Sequence, residues 1–413
     1  MNKTFINTRI KANVRAISSK SEAHRALICA ALADTPTFIH CNDTNSDIEA
    51  TASCLCALGA IIERTEDGFD VTPLSSVHQG ALLDCNESGS TLRFLLPIAA
   101  ALDANCSFNM RGRLSQRPLS PLYELLQQNG ARLSPQGSNP LSIQGALTHG
   151  AYSIAAGVSS QYISGLLFAL SITEGKSTLE LLGNIESAPY IEMTLDTLRL
   201  FGADISLDAD TNRFTINGKR RLTSPGKVFV GGDWSNAAFF LCAGAMGKTP
   251  VTVSGLDLSS RQGDKAIIDV LANMGAEIQF NSSSVTVFPS SLKAASIDAK
   301  DIPDLVPILA TAASVAEGET LIFNAARLRL KESDRIESVC AFLSALGADI
   351  TPIDDGMTIR GQKCLLGGKV DSANDHRIAM SAAIASLVCE GAVEISRFEA
   401  INKSYPSFAD NFE

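Results

Sequence analysis

Tryptophan occurs once and tyrosine five times in 413 residues, and only 19% of the chain is charged. So little charge beside 45% hydrophobic residues excludes a disordered chain, which lacks the apolar surface to offset its conformational entropy. A basic excess is missing as well. The 34 Lys+Arg face 44 Asp+Glu, for a formal charge of −10 and a pI near 5.1. A general nucleic-acid binder needs a positive field to release counterions, so that class is excluded, while a small basic pocket for an anionic metabolite is not. No C-x-x-C occurs. Of ten cysteines only Cys54 and Cys56 lie close, and the five histidines are scattered. Neither a disulfide framework nor a zinc pattern can be assembled, and the thiols read as small buried hydrophobes of a reducing compartment. No run of 18 uninterrupted apolar residues appears, and MNKTFINTRIKANVRA has no signal-peptide core. The expectation is a soluble cytoplasmic protein with no membrane partner.

What the chain does have is self-similarity. An amphipathic helix ending in Gly-Ala and running into a strand recurs at Gly59-Ala60, Gly130-Ala131, Gly202-Ala203, Gly275-Ala276 and Gly347-Ala348, at intervals of 71, 72, 73 and 72 residues. Glycine there supplies the left-handed helix end, and alternating segments such as AEIQFNSSSVTVF read as hairpins. A second, Ala-rich and nearly chargeless helix occurs six times, starting near Ala23, Ser90, Ser159, Ser235, Pro303 and Asp375. Such helices should be buried all round, with the amphipathic ones further out. Each unit therefore reads helix, strand, helix, strand, hairpin, the sixth cut short by the chain end. Solenoid repeats are usually about 20–45 residues, so six longer units favour two α/β lobes of three, with a hinge near Lys227–Gly232.

Polar residues collect at the entries of the buried helices: SSKSEAHR, NESGSTLR, SSQ, GGDWSN, KDIPD and NDHR. Helix starts present unpaired N–H groups and a positive dipole end, and several aimed at one place make an anion trap. Capping accounts for Ser and Asp there, and Ser19 to Glu22 fits a capping box. It does not account for Lys20, Arg25, Arg93 and Arg377, because cations oppose the dipole at that end. Ser115-Gln116-Arg117-Pro118 and Lys331-Glu332-Ser333-Asp334-Arg335 add further charge before outer helices. Gly247-Lys248-Thr249 and Gly175-Lys176-Ser177 end like a P-loop, but both lack its earlier glycine and read as turns.

Taken in order, K-S-x-x-x-R from Lys20, S-S-Q from Ser159, I-P-D from Ile302, L-x-x-K-E-S-D-R from Leu328 and N-D-H-R from Asn374 resemble the 5-enolpyruvylshikimate-3-phosphate synthase family of the shikimate pathway. The resemblance runs from Ser19 to Lys403. It implies a two-lobed inside-out α/β barrel of six βαβαββ units. Residues 20–229 would form one lobe, residues 1–19 with 230–413 the other, and the active site would lie in the cleft between them. The implied reaction moves the enolpyruvyl group of phosphoenolpyruvate onto the 5-hydroxyl of shikimate 3-phosphate through a tetrahedral ketal, with no metal or cofactor, in a monomer.

By the same resemblance Ser21, Arg25, Ser159, Ser160, Ser187 and Lys331 hold shikimate 3-phosphate. Lys20 and Gln161 touch both substrates. Gly89, Arg117, Arg335, Arg377 and Lys403 surround phosphoenolpyruvate. Asp304 takes the hydroxyl proton and also lies in the shikimate site, Glu332 serves the methylene carbon, and Lys20 shares either duty. His376 and Trp234 read as structural. Two positions depart from the family pattern. Arg327 stands where asparagine is common, which puts one phosphate contact in doubt, and Phe94 follows Arg93 where proline is common, a change expected to alter the fit of glyphosate. The sibling UDP-N-acetylglucosamine enolpyruvyl transferase usually has a reactive cysteine five residues before an Arg-Pro pair, whereas Gly112 precedes Arg117-Pro118 here. A non-catalytic anion-binding homologue is disfavoured by the full set of charged residues.

Overall fold

The computed structural model describes residues 1–6 and 8–413. Its eleven α-helices, among the described residues, are α1 (Lys20–Ala31), α2 (Ser46–Leu58), α3 (Gly89–Ala101), α4 (Leu122–Gln128), α5 (Ser160–Ser171), α6 (Ala188–Leu200), α7 (Trp234–Met246), α8 (Ile267–Asn273), α9 (Val306–Ala313), α10 (Arg335–Ala345) and α11 (His376–Ala385). Odd- and even-numbered helices differ as the charge pattern requires. Every residue of α9 and α11 is buried, whereas α2, α4, α6, α8 and α10 each keep a polar face in solvent. All five Gly-Ala glycines take positive φ, between 70° and 116°, where a side chain would be strained.

The chain forms two compact units, Ser18–Val230 and Met1–Ile17 with Gly231–Glu413. Each has its own apolar cluster built on its odd-numbered helices. In the first unit, three four-stranded sheets carry these helices. One consists of strands 227–229, 37–40, 68–72 and 61–64; the next of 82–84, 106–109, 141–144 and 132–133; the third of 151–155, 175–182, 213–218 and 204–208. In every sheet the first pair is parallel and the rest antiparallel. The second unit repeats this order twice and ends in a three-stranded sheet. The fold is therefore the expected α/β class, with one change of order: the hairpin directly follows the outer helix, and a lone strand follows the hairpin.

That lone strand explains how the chain closes on itself. Strand 227–229 runs parallel to 37–40, and strand 13–15 runs parallel to 251–254, each returning from far along the sequence to complete a sheet. In the sixth sheet Lys3–Phe5 pairs antiparallel with Val393–Ser396, in the place that the hairpin fills in the other five. The N-terminal strand thus covers the edge that the short sixth repeat leaves open, and an uncovered edge invites pairing with another chain.

Helix starts are set by side-chain caps: Ser19, Ser88, Ser159, Asp233 and Asp375 each accept a hydrogen bond from an N–H of the first turn. At α7 the entry is also closed from within. The buried Asp264 carboxylate accepts the Ser235 hydroxyl, and Gln262 bonds both the Trp234 N–H and the Gly232 carbonyl. Trp234 itself is buried, its indole N–H donating to the Asp257 carbonyl at 3.1 Å, as a packing residue should. Among the described residues no helix is long and apolar enough to cross a membrane.

Helices α3 and α5 pack closely at Gly165. A Cβ at Gly165 would lie 2.4 Å from the Arg93 carbonyl and 3.3 Å from the Phe94 Cα, so only glycine lets the backbones approach there. Gly165→Ala should cost about 1–3 kcal/mol through forced displacement of α3. Urea unfolding measures this, and a loss below about 0.5 kcal/mol, the range of surface changes, would mean that the helices are not in contact.

Candidate active site

In the first unit the expected residues gather at the starts of α1, α3 and α5. Lys20 opens α1, and its ammonium lies 2.9 Å from Asp47 in the first turn of α2, both side chains largely buried. One turn on, the buried Arg25 guanidinium donates from Nε to the Thr194 hydroxyl (2.8 Å), from Nη1 to the Ser21 carbonyl (2.7 Å) and from Nη2 to the Tyr190 carbonyl (2.8 Å). All three acceptors are neutral. Burial pulls the Arg25 pKa down to about 10, against the opposing pull of Tyr190 and Glu22. A cation that has lost its hydration and gained neutral partners is one that an anionic ligand stabilises.

Phe94, the residue that departs from the family pattern, lies beneath this cation. Its ring centroid is 5.3 Å from the Arg25 guanidinium carbon, and Phe168 meets it edge-on at 5.6 Å. Its extra bulk is therefore spent on supporting Arg25 through a cation–π contact.

At the start of α3, Gly89 leaves room for two guanidinium groups. A Cβ there would lie 2.7 Å from an Arg117 nitrogen and 2.8 Å from an Arg93 nitrogen. Arg93 also donates to the Gln161 side-chain oxygen (2.9 Å) while the Gln161 amide donates to the Ser90 hydroxyl (2.9 Å), so α5 and α3 are latched at their first turns. Ser159 caps α5 and Ser160 begins it, while Ser187 precedes α6 in a left-handed conformation (φ 55°) and is buried.

The second unit compensates its cations differently. Arg335, 1% exposed, donates from Nη1 to Asp304 (2.6 Å), from Nη2 to Glu332 (2.8 Å) and from Nε to Asp375 (2.8 Å). Burial works against its charge, but Asp375, Glu332 and Asp304 outweigh it and hold the guanidinium above its ordinary range. Asp304 is the hub: its second oxygen accepts from Arg377 at 3.1 Å, and the Lys331 ammonium lies 3.6 Å from its first. The side chain that could have served as an ordinary cap for α9 faces three cations instead, and α9 starts without a side-chain cap. Burial lowers the Lys331 pKa to about 8, with Asp304 opposing and Arg335 adding to the fall. Lys403 donates to the Asn374 carbonyl at 2.6 Å, just ahead of the Asp375 cap. Arg327 is tied to the Lys300 carbonyl, four residues before Asp304. His376 is buried beside Asp375, 3.9 Å from one of its oxygens, consistent with a structural place.

Sequence reasoning did not select Asp47, Thr194 or Asp375 for the site. Asp47 and Asp375 sit where carboxylates ordinarily stabilise a helix start, so local sequence gives them a sufficient explanation. Thr194 lies mid-helix, with nothing local to distinguish it. Among the described residues no cluster of His, Cys, Asp and Glu is placed to hold a metal ion. The cysteines include seven buried ones, and burial raises the thiol pKa of Cys106 and Cys340 to about 12, as inert core residues require.

Comparison with known proteins defines first the class. EPSP synthase from Acinetobacter baumannii superimposes with a TM-score of 0.81 at 26% identity, covering 100% of this chain and 99% of that one. The enolpyruvyl transferase NikO from Streptomyces tendae gives 0.80 at 20% identity, over 99% and 96%, a likeness of fold. The architecture is thus the two-lobed inside-out α/β fold of the enolpyruvyl transferases. The family follows from sequence: the model of EPSP synthase (3-phosphoshikimate 1-carboxyvinyltransferase) matches residues 5–412. A 3-phosphoshikimate 1-carboxyvinyltransferase of Clostridium perfringens is 40% identical over 418 residues, covering 100% of this chain and 98% of that protein. One of Clostridium acetobutylicum is 41% identical over 407 residues, covering 97% and 94%. The chain belongs to the EPSP synthase family, as its motifs led us to expect.

The Lys20–Asp47 pair makes a direct prediction. Removing a carboxylate 2.9 Å from an ammonium withdraws support from its charged form. Asp47→Asn should therefore lower turnover about tenfold or more, read as kcat with both substrates saturating. Unchanged turnover would show that the pair does not govern Lys20.

Proposed function

We propose that this chain catalyses transfer of the enolpyruvyl group from phosphoenolpyruvate to the 5-hydroxyl of shikimate 3-phosphate, releasing phosphate, and that the residues described above do the work. The observation that carries the reading is the pair of complementary half-sets. One unit holds the buried Arg25 cation on neutral acceptors and places Arg93 and Arg117 around Gly89. The other holds two carboxylates, Asp304 and Glu332, oriented by Arg335, beside Lys331 and Arg377. A reaction between two multiply anionic metabolites that also needs proton transfer requires both.

In this reading Arg25 takes the shikimate carboxylate, Ser159, Ser160, Ser187 and Lys331 its phosphate, and Ser21 completes that end. Arg117, Arg335, Arg377, Lys403 and the Gly89 backbone surround phosphoenolpyruvate, with Lys20 and Gln161 reaching both substrates. Planar guanidinium groups suit bidentate contact with carboxylate and phosphate. Asp304 accepts the 5-hydroxyl proton as that oxygen attacks C2 of phosphoenolpyruvate, while Glu332 delivers a proton to C3, giving the tetrahedral ketal. Loss of phosphate from C2 and return of a C3 proton to Glu332 then complete the product. Exclusion of water around the bound substrates would protect the ketal.

Position 112 speaks against the sibling reaction. Gly112 has φ 55°, and a Cβ there would lie 2.6–2.9 Å from the Glu87 carboxyl group. A cysteine nucleophile at this place would be strained by the left-handed backbone and would displace the Glu87 carboxyl group.

Phosphate release that requires both phosphoenolpyruvate and shikimate 3-phosphate is the expected result, with the enol ether product seen by NMR. Release that ignores the shikimate ester, or none, would refute the assignment. Lys20→Ala and Asp304→Ala should each lower kcat on the order of 10²-fold or more, and near-normal turnover would remove them from the mechanism. Lys331 predicts a pH effect of definite sign. With a pKa of about 8 its ammonium is present below that pH and lost above it, so the KM for shikimate 3-phosphate should rise as pH passes 8. Lys331→Arg, permanently charged, should flatten the rise; a KM that climbs equally in both would dissociate Lys331 from phosphate binding.

A further inference from the structure

Between the two ligand-facing residues Lys20 and Arg25, helix α1 turns His24 into the core, where it is 0% exposed. An apolar residue could fill that space without needing a partner. The imidazole instead starts a line of buried polar contacts through three helices. His24 Nδ1 lies 2.7 Å from the Thr51 hydroxyl of α2, which lies 2.6 Å from the Thr91 hydroxyl of α3. Thr91 donates its hydroxyl hydrogen to Ser88 Oγ at 2.7 Å, and Ser88 Oγ also accepts the Thr91 N–H at 3.2 Å as the cap of α3.

The order of donors follows from these contacts. Thr91 has committed its hydrogen to Ser88, so Thr51 must donate to Thr91. Thr51 has then committed its own, so His24 Nδ1 must donate to Thr51. Nε2, buried with no hydrogen-bond partner among the described residues, is left as the bare nitrogen. A buried acceptor without a partner is tolerated better than a buried N–H without one. Ser88 sits next to Gly89, the residue that Arg93 and Arg117 flank, and Ser90 is latched to Gln161 from the opposite side.

We propose that His24 is a positioning residue for the phosphoenolpyruvate end of the site: as the Nδ1–H tautomer it begins a one-way hydrogen-bond chain, through Thr51 and Thr91, that fixes the Ser88 cap and with it the backbone of Gly89. The assignment rests on the function proposed above. Burial, then the charges of Lys20 and Arg25 on the same helix, hold the His24 pKa well below its ordinary value. From the packed helices it faces the Thr51 hydroxyl and, edge to face at 6.5 Å, the Phe94 ring. The chain is therefore present across the working pH range and does not act as a switch.

The test compares steady-state kinetics of the wild type, His24→Asn, His24→Leu, Thr51→Val and the double variant His24→Leu/Thr51→Val with ring-nitrogen NMR of the wild-type protein. Asparagine keeps an N–H at the δ position, so His24→Asn should stay close to wild type. His24→Leu should raise the KM for phosphoenolpyruvate about tenfold, the order expected for a weakened cap and a broken buried bond, with the KM for shikimate 3-phosphate within about twofold. Thr51→Val should match it, and the double variant should be no worse than either single one, because one chain breaks only once. NMR should show Nδ1 protonated and Nε2 bare from pH 6 to 9. Equal rises in both KM values, additive effects, failure of asparagine to rescue, an Nε2–H tautomer, or titration in that range would each overturn the proposal. If His24→Leu does not fold, Thr51→Val and the spectrum still decide. A wild type that releases no phosphate from the substrate pair refutes the function itself, whereas an active wild type with any of those outcomes refutes only the role of His24.

Discussion

A cation placed at the start of a helix meets the positive end of the dipole, and burying it there adds a desolvation cost. Lys20 and Arg377 are held in that unfavourable position, with Arg25 and Arg93 buried a turn further into their helices, and much of the surrounding structure serves to make this tolerable. The nearly chargeless interiors of α3, α5, α9 and α11 supply the offsetting apolar burial. Side-chain caps satisfy first-turn N–H groups at these helix starts. Glycine at 89 and 165 lets backbone and guanidinium groups approach where a methyl group would keep them apart.

The two units solve the charge problem in opposite ways, and the difference carries the chemistry. Around Arg25 the acceptors are hydroxyl and carbonyl oxygens, which orient a guanidinium without neutralising it. Around Arg335 they are three carboxylates, which neutralise it and in turn are oriented by it. The first arrangement favours uptake of an anion. The second fixes the geometry of Asp304 and Glu332, the groups proposed to move protons. Asp47 extends the second strategy to Lys20 in the first unit, an ammonium that has duties toward both substrates in the proposed mechanism.

Local chemistry made some site residues legible and hid others. Lys20, Arg25 and Arg377 stood out because nothing local justifies a cation at a helix start. Asp47 and Asp375 were hidden because a carboxylate there needs no further explanation, yet each is bonded to a site cation or its neighbour. His24, Thr51 and Thr91 lie on different helices with no common spacing, and their hydrogen-bonded line exists only once α1, α2 and α3 have packed. Phe94 stands out in the sequence only as a departure from the family pattern, and its contact with Arg25 depends on a face of α1 fixed by packing.

By itself the sequence determined the helix ends and the division into buried and outer helices, because these follow from local periodicity, glycine and charge, and it determined the repeat because the same local pattern returns every 71–73 residues. The motif order also determined the family. Tertiary structure alone decided which distant strand completes each sheet, so that Lys3–Phe5 closes the sixth and Asn13–Arg15 the fourth. It likewise decided which acceptor each buried cation receives. Backbone edges and guanidinium groups accept any well-placed partner, and such non-specific demands acquire particular answers only when packing brings remote segments within hydrogen-bond distance.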